Sequence, residues 1–112
     1  MKKQQFEEFT RGLFSKMSSV LRDKNNDYTA LSTDAFANFE QAREYGVDPL
    51  VGLCVRMGDK VKRVQTFCKT KSLAVQDEHV EDAFEDIIGY CTIALAMVKE
   101  RKNASVSTTH EA

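Results

Sequence analysis

Two apolar rows of equal length and equal period constrain this chain more than any other feature. Leu50, Cys54, Met57, Val61, Val64 and Cys68 follow steps of 4, 3, 4, 3 and 4 residues. Val80, Phe84, Ile87, Cys91, Ala94 and Val98 repeat the same steps. An α-helix returns side chains to one face at that spacing, whereas a strand does so every second residue. The rows predict helices over about 49–69 and 77–101, joined by a connector of about 70–76. Equal stripes joined by a short loop favour an antiparallel helical hairpin with shallow crossing. Asp48 before Pro49 is a strong start signal for the earlier helix, and Asp77 can cap the later one.

Two further helices precede the hairpin. Phe6, Phe9, Leu13, Met17 and Val20 recur at steps of three and four, which predicts a helix over 4–23 with those residues on its core face. KNNDYT at 24–29 is expected to break it, because Asn and Asp side chains compete for backbone hydrogen bonds. Ser32 or Thr33 can cap a short helix over about 34–45 carrying Phe36 and Phe39, with Gly46 as a left-handed stop. The fold class is therefore all-α, a hairpin with two more helices packed on it. One Pro and five Gly are too few for a sandwich or barrel with many tight turns. A single helical domain is expected over 1–102, followed by a frayed polar tail over 103–112.

Composition narrows the function classes. Sixteen basic residues against seventeen acidic ones leave a net charge of −1, which argues against a protein that coats nucleic acid. No apolar run approaches a membrane span, and no leader-like opening is read. The cysteines number three, none in a CxxC, so a cytoplasmic protein is expected, with Cys54, Cys68 and Cys91 in the core. Two histidines, His79 and His110, are not spaced for zinc.

The charges are segregated. Arg56, Lys60, Lys62, Arg63, Lys69 and Lys71 make the third predicted helix basic, with Asp59 the sole acid over 56–71. Asp77, Glu78, Glu81, Asp82, Glu85 and Asp86 open the fourth, which has no Lys or Arg over 72–98. Each polar row falls roughly opposite its own apolar stripe, where a solvated face belongs. A second reading rests on cost. Carboxylates at i and i+4, such as Glu78/Asp82 and Asp82/Asp86, repel by roughly 0.2–0.5 kcal/mol per pair. An uncompensated acidic row is easier to understand with a cation on it. Mg²⁺ takes one or two carboxylates and fills its other positions with water and phosphate. An acidic row beside a basic row is then a polyphosphate site in outline. Gly52 and Gly89 fall on the polar faces, where they admit either a ligand, a second chain or a closely packed neighbour.

KNNDYT at 24–29, FANF at 36–39, VRMGDKVKR at 55–63 and DEHVEDAFEDIIGY at 77–90 resemble, in that order, the first family of nucleotide-modification-associated domains, common in phage genomes. The helices are also similar to all-α nucleoside triphosphate pyrophosphohydrolases of the MazG-like and dimeric dUTPase-like kinds. The resemblance implies a MazG-like four-helix arrangement and a Mg²⁺-dependent protein that cleaves a (deoxy)nucleoside triphosphate to monophosphate and pyrophosphate. On that reading Asp59, Glu78 and Asp82 hold metal, and Asp86 orients water or a second ion. Arg56, Lys60 and Arg63 neutralise phosphate charge, and Lys24, Asp27, Tyr28 and Asn38 close over the base or sugar. Lys60 and Asp86 are the candidate catalytic pair. The enzymes carry E-E-x-x-E and E-x-x-D, whereas this chain offers Asp59 alone on one helix and E-x-x-x-D at Glu78 and Asp82 on the next.

Two other functions stay open. The same faces suit a protein that binds a nucleotide or cyclic nucleotide without turnover, which in a phage would act as a sponge against nucleotide-signalled defence. They also suit a structural module whose charged faces zip protomers together. A homodimer or higher oligomer is expected, because the chain is small and its polar faces need something opposite them to form a pocket.

Overall fold

The computed structural model describes residues 1–29, 32–72 and 79–111, with side chains described as far as Ser105. Its elements in chain order are α1 (Lys3–Thr29), a 3-10 helix (Glu40–Tyr45), α2 (Pro49–Thr70) and α3 (Val80–Glu111). Among the described residues there is no strand, so the all-α expectation holds. No helix among them is long and apolar enough to cross a membrane. The chain divides into two compact units, Met1–Gln41 and Ala42–Ala112.

In the first unit α1 runs straight through KNNDYT instead of stopping at residue 23. Each Asn or Asp costs a helix only a few tenths of a kcal/mol against a better former. Two hydrogen bonds offset that. Thr29 Oγ1 donates back to the Asn25 carbonyl at 2.7 Å. Asn25 Nδ2 donates to the Ala35 carbonyl at 2.7 Å, tying the following turn to the helix. Met17 is buried as its spacing predicts, but Phe6 and Phe9 are 60% and 56% exposed. The segment read as a helix from residue 34 forms tight turns first. Asp34 Oδ1 accepts from the Phe36 N–H at 3.0 Å, and the Phe39 N–H bonds the Phe36 carbonyl, so the chain closes successive tight turns here. Helical winding follows only at Glu40–Tyr45, and it is 3-10.

The second unit is the predicted hairpin. Gly46 has φ +72° and ends the 3-10 helix as expected. Asp48 caps α2, its carboxylate accepting from the Leu50 N–H at 2.9 Å, with Pro49 in the first turn. At the far end Lys71 takes a left-handed φ of 61° and donates its N–H to the Phe67 carbonyl. Three cross-contacts fix the antiparallel register: Asp48 with Arg101, Met57 Sδ with Cys91 Sγ at 3.8 Å, and Lys60 with Asp86. The Asp77 cap lies outside the described residues. The tail expected to fray continues α3 through Glu111, since no Gly or Pro follows Gly89 to stop it.

The side of each helix that is buried differs from the predicted stripe. On α2, Pro49 and Leu53 are buried, and Met57, Lys60, Val64 and Phe67 are half-buried. On α3, Ala83 and Met97 are buried and Ile87, Tyr90 and Ala94 are half-buried, while Gly89, also buried, lies beside this seam on the side of Asp82 and Asp86. At 100° per residue both seams are rotated by roughly 70° towards lower residue numbers. Cys54, Cys68 and Cys91, expected in the core, are free and exposed.

The Asp48–Arg101 pair gives the hairpin a pH dependence. Arg101 Nη1 donates to Asp48 Oδ2 at 3.0 Å, and Nη2 reaches the other carboxylate oxygen. That guanidinium, helped by the Leu50 N–H, holds the Asp48 carboxyl down to about 2 from 3.8. The unfolded chain therefore binds the proton first as pH falls. The pair's stabilisation is complete above about pH 4 and is lost as pH drops towards 2. Arg101→Met should return the carboxyl towards 3.8 and flatten the acid dependence of the urea midpoint between about pH 4 and 2. A carboxyl resonance titrating unchanged in that variant would refute the assignment.

Candidate functional site

The buried seam sorts the remaining side chains onto two sides of the hairpin. Helical angle advances clockwise along α2 and anticlockwise along the returning α3, seen from one end. Residues one place before a seam residue thus emerge on the same side in both helices. On α2 these are Gly52, Arg56, Asp59 and Arg63. On α3 they include Asp82, Asp86 and Gly89, with Glu85 beside them. The basic and acidic rows therefore do meet on one side of the hairpin.

Their meeting point is Lys60 with Asp86. Nζ lies 3.0 Å from Oδ2, with the two side chains 29% and 24% exposed. The Lys60 stem belongs to the packing seam while its ammonium turns to the polar side, an arrangement long cationic chains favour. None of Arg56, Arg63 or Glu85 stands without a partner either. On this side Lys60, Arg63, Glu85 and Asp86 are half-buried, while Arg56, Asp59 and Asp82 are exposed.

The register bears on the metal expectation. Met57 opposite Cys91 and Lys60 opposite Asp86 put Asp59 near the level of Ile88. Asp82 lies about six residues further along, roughly 9 Å down the axis. Both carboxylates are exposed. Glu78, the third predicted ligand, lies outside the described residues. Among the described residues no three His, Cys, Asp or Glu side chains gather as a metal cage. Gly52 opens no space for a ligand, for a Cβ there would touch the Ala42 Cβ at 3.5 Å.

The remaining candidates belong to the first unit. Lys24, Asp27 and Tyr28 are exposed in the last turns of α1. Asn38 sits in the turn before the 3-10 helix, and its buried Oδ1 accepts no hydrogen bond. The Asn25–Ala35 bond holds that turn to α1, so the KNNDYT and FANF motifs form one local cluster. Two participants carry no role assigned from the sequence. Glu85, half-buried and partnered, was visible as a member of the acidic row. Arg101 had no local signal, since its partner Asp48 lies 53 residues away.

The second unit is thus an all-α hairpin that carries a basic row and an acidic row on one side. The chain belongs to the family described as nucleotide modification associated domain 1, whose model matches residues 24–98. That span takes in the α1 terminus, the FANF turn, all of α2 and the acidic half of α3. No curated protein and no solved structure matches the chain.

Proposed function

We propose that this protein binds a (deoxy)nucleoside triphosphate along the polar side of the α2–α3 hairpin and cleaves it, with Mg²⁺, to monophosphate and pyrophosphate. The observation that carries the reading is the Lys60–Asp86 pair, a half-buried ammonium and carboxylate flanked by Arg56 and Arg63. Cations fixed in a partly dry site stabilise phosphoryl charge more than solvated ones do. Phosphate oxygens would take Lys60 over from Asp86, freeing the carboxylate to orient water. Mg²⁺, when bound, supplies further neutralisation of phosphate charge. With no ready-made cage among the described residues, it would arrive largely ligated by the nucleotide and by water, with Asp82 as a protein ligand. The MazG-like likeness and a phage setting belong to the same proposal.

Binding without turnover is the second reading, including capture of a cyclic nucleotide. The axial offset of roughly 9 Å between the levels of Asp59 and Asp82 favours it, because it places the two poorly to share one ion.

Thermal shifts with mono-, di-, tri- and cyclic nucleotides, with and without Mg²⁺, test binding, and release of pyrophosphate tests cleavage. Joint replacement of Arg56 and Arg63 by Gln should weaken triphosphate binding at least tenfold. Silence towards every nucleotide in both assays would remove both readings and leave the structural module.

A further inference from the structure

Residues one place after each seam residue emerge on the side of the hairpin away from the charges. On α2 they are Cys54, Gly58, Val61, Gln65 and Cys68, preceded by Val51. On α3 they are Phe84, Ile88, Cys91, Leu95 and Val98, at steps of 4, 3, 4 and 3. Apart from Gln65, both rows are apolar or small, and both are about two heptads long, the pattern of helix-to-helix seams. Yet Val51, Val61, Phe84, Leu95 and Val98 keep between 37% and 72% of their surface exposed. A bare apolar strip of this kind, on the order of 500 Å², approaches one partner's share of a stable interface.

The two rows also differ in size. The α3 row carries Phe84, Ile88 and Leu95, while the α2 row, apart from Gln65, is built of Val, Cys and Gly. Above Gly58 there is open space, with nothing beyond its own stretch of helix within 4 Å of where a Cβ would stand. A large row and a small row of matched length, side by side on one face, are self-complementary under a two-fold axis parallel to the helices. That rotation lays α3 of one copy antiparallel on α2 of the other, and the reverse, which is an isologous contact. It also sets Glu81 of one copy beside Lys69 of the other on the outer edge, so the charges agree with the shapes. We infer that the apolar side of the hairpin is the seat of a second copy of this chain, closing a four-helix bundle from two hairpins. The polar sides then face outward, one complete set per copy, and neither copy lends a charged residue to the other's site.

The register makes a sharp test. Met57 stands opposite Cys91 within one chain. The rotation preserves that level, so Cys91 of the second copy comes within about one turn of Cys54. Mild oxidation with copper phenanthroline should yield an intermolecular disulfide between Cys54 and Cys91, identified by mass spectrometry, and lost in Cys54→Ser and in Cys91→Ser. Light scattering should give twice the chain mass. Leu95→Glu, at a side chain 72% exposed, should give a helical monomer with its melting temperature preserved at high dilution. A monomer at every concentration overturns the inference. So does a dimer indifferent to Leu95→Glu and Phe84→Glu. Cross-links of Cys54 to Cys54 overturn the pairing of α2 with α3. Because the polar sides are unshared, nucleotide-induced shifts should survive Leu95→Glu. Their loss there would sink the outward-facing arrangement without touching the nucleotide reading, which is tested on the wild type.

Discussion

Leu53→Ala should destabilise the hairpin by about 3 kcal/mol, as expected for emptying a fully buried leucine site. In a chain of this length that lowers Tm by roughly 15 °C. Leu53 has no exposed surface, and it sits one turn before Met57, where α2 touches α3. Cys54→Ala is the informative control. Cys54 belongs to the predicted stripe and Leu53 does not, yet Cys54 is exposed. Measured at dilutions below self-association, Cys54→Ala should stay within about 0.5 kcal/mol of the parent. A larger loss at Cys54 than at Leu53 would mean that the buried seam follows the predicted stripe after all.

That contrast marks how far the sequence was legible. Period identified the hairpin helices, because a 4-3-4-3-4 spacing has no strand equivalent. Asp48–Pro49 and Gly46 set boundaries through local chemistry, and the structure uses both as read. Rotation about the helix axis was not legible. Leu50, Val51, Leu53, Cys54, Val55, Met57, Val61, Val64, Phe67 and Cys68 spread over more than half of the α2 circumference. Several stripes can be drawn through such a set, and side-chain volume decides among them. Leu53 and Phe67 fill an interhelical space better than Cys54 and Cys68 do. The regularity of the discarded stripe is then not wasted, for part of it forms the exposed apolar side.

The same limit applies to the charged residues. Which groups form acidic and basic rows follows from spacing alone. Which of them meet depends on register, and register comes from contacts 26 residues apart, as between Lys60 and Asp86. The weak breakers at 24–29 show a related effect. Their propensities were read correctly one by one, but the Asn25–Ala35 bond supplies a partner ten residues on that no local window contains.

Asp86→Asn is expected to separate the two nucleotide readings, and its effects run in opposite directions. Lys60 is held by Asp86 at 3.0 Å, so any phosphate must compete with that carboxylate. Removing the negative charge releases the ammonium and lowers repulsion towards the incoming anion. Triphosphate affinity should rise about tenfold, equivalent to roughly 1.4 kcal/mol. Folding stability should fall by about 1 kcal/mol, because a half-buried ammonium loses its charged partner. Lys60→Met should cost about as much stability but weaken triphosphate binding, and Lys60→Met with Asp86→Leu should be less destabilised than the two single losses added together. Pyrophosphate release is the deciding readout. If Asp86 orients water, Asp86→Asn binds more tightly and turns over at least a hundredfold more slowly. If the protein only sequesters nucleotides, the same variant is simply a better binder. An Asp86→Asn protein with unchanged affinity would show that phosphate never reaches Lys60, and the polar side would lose its claim to be the nucleotide site.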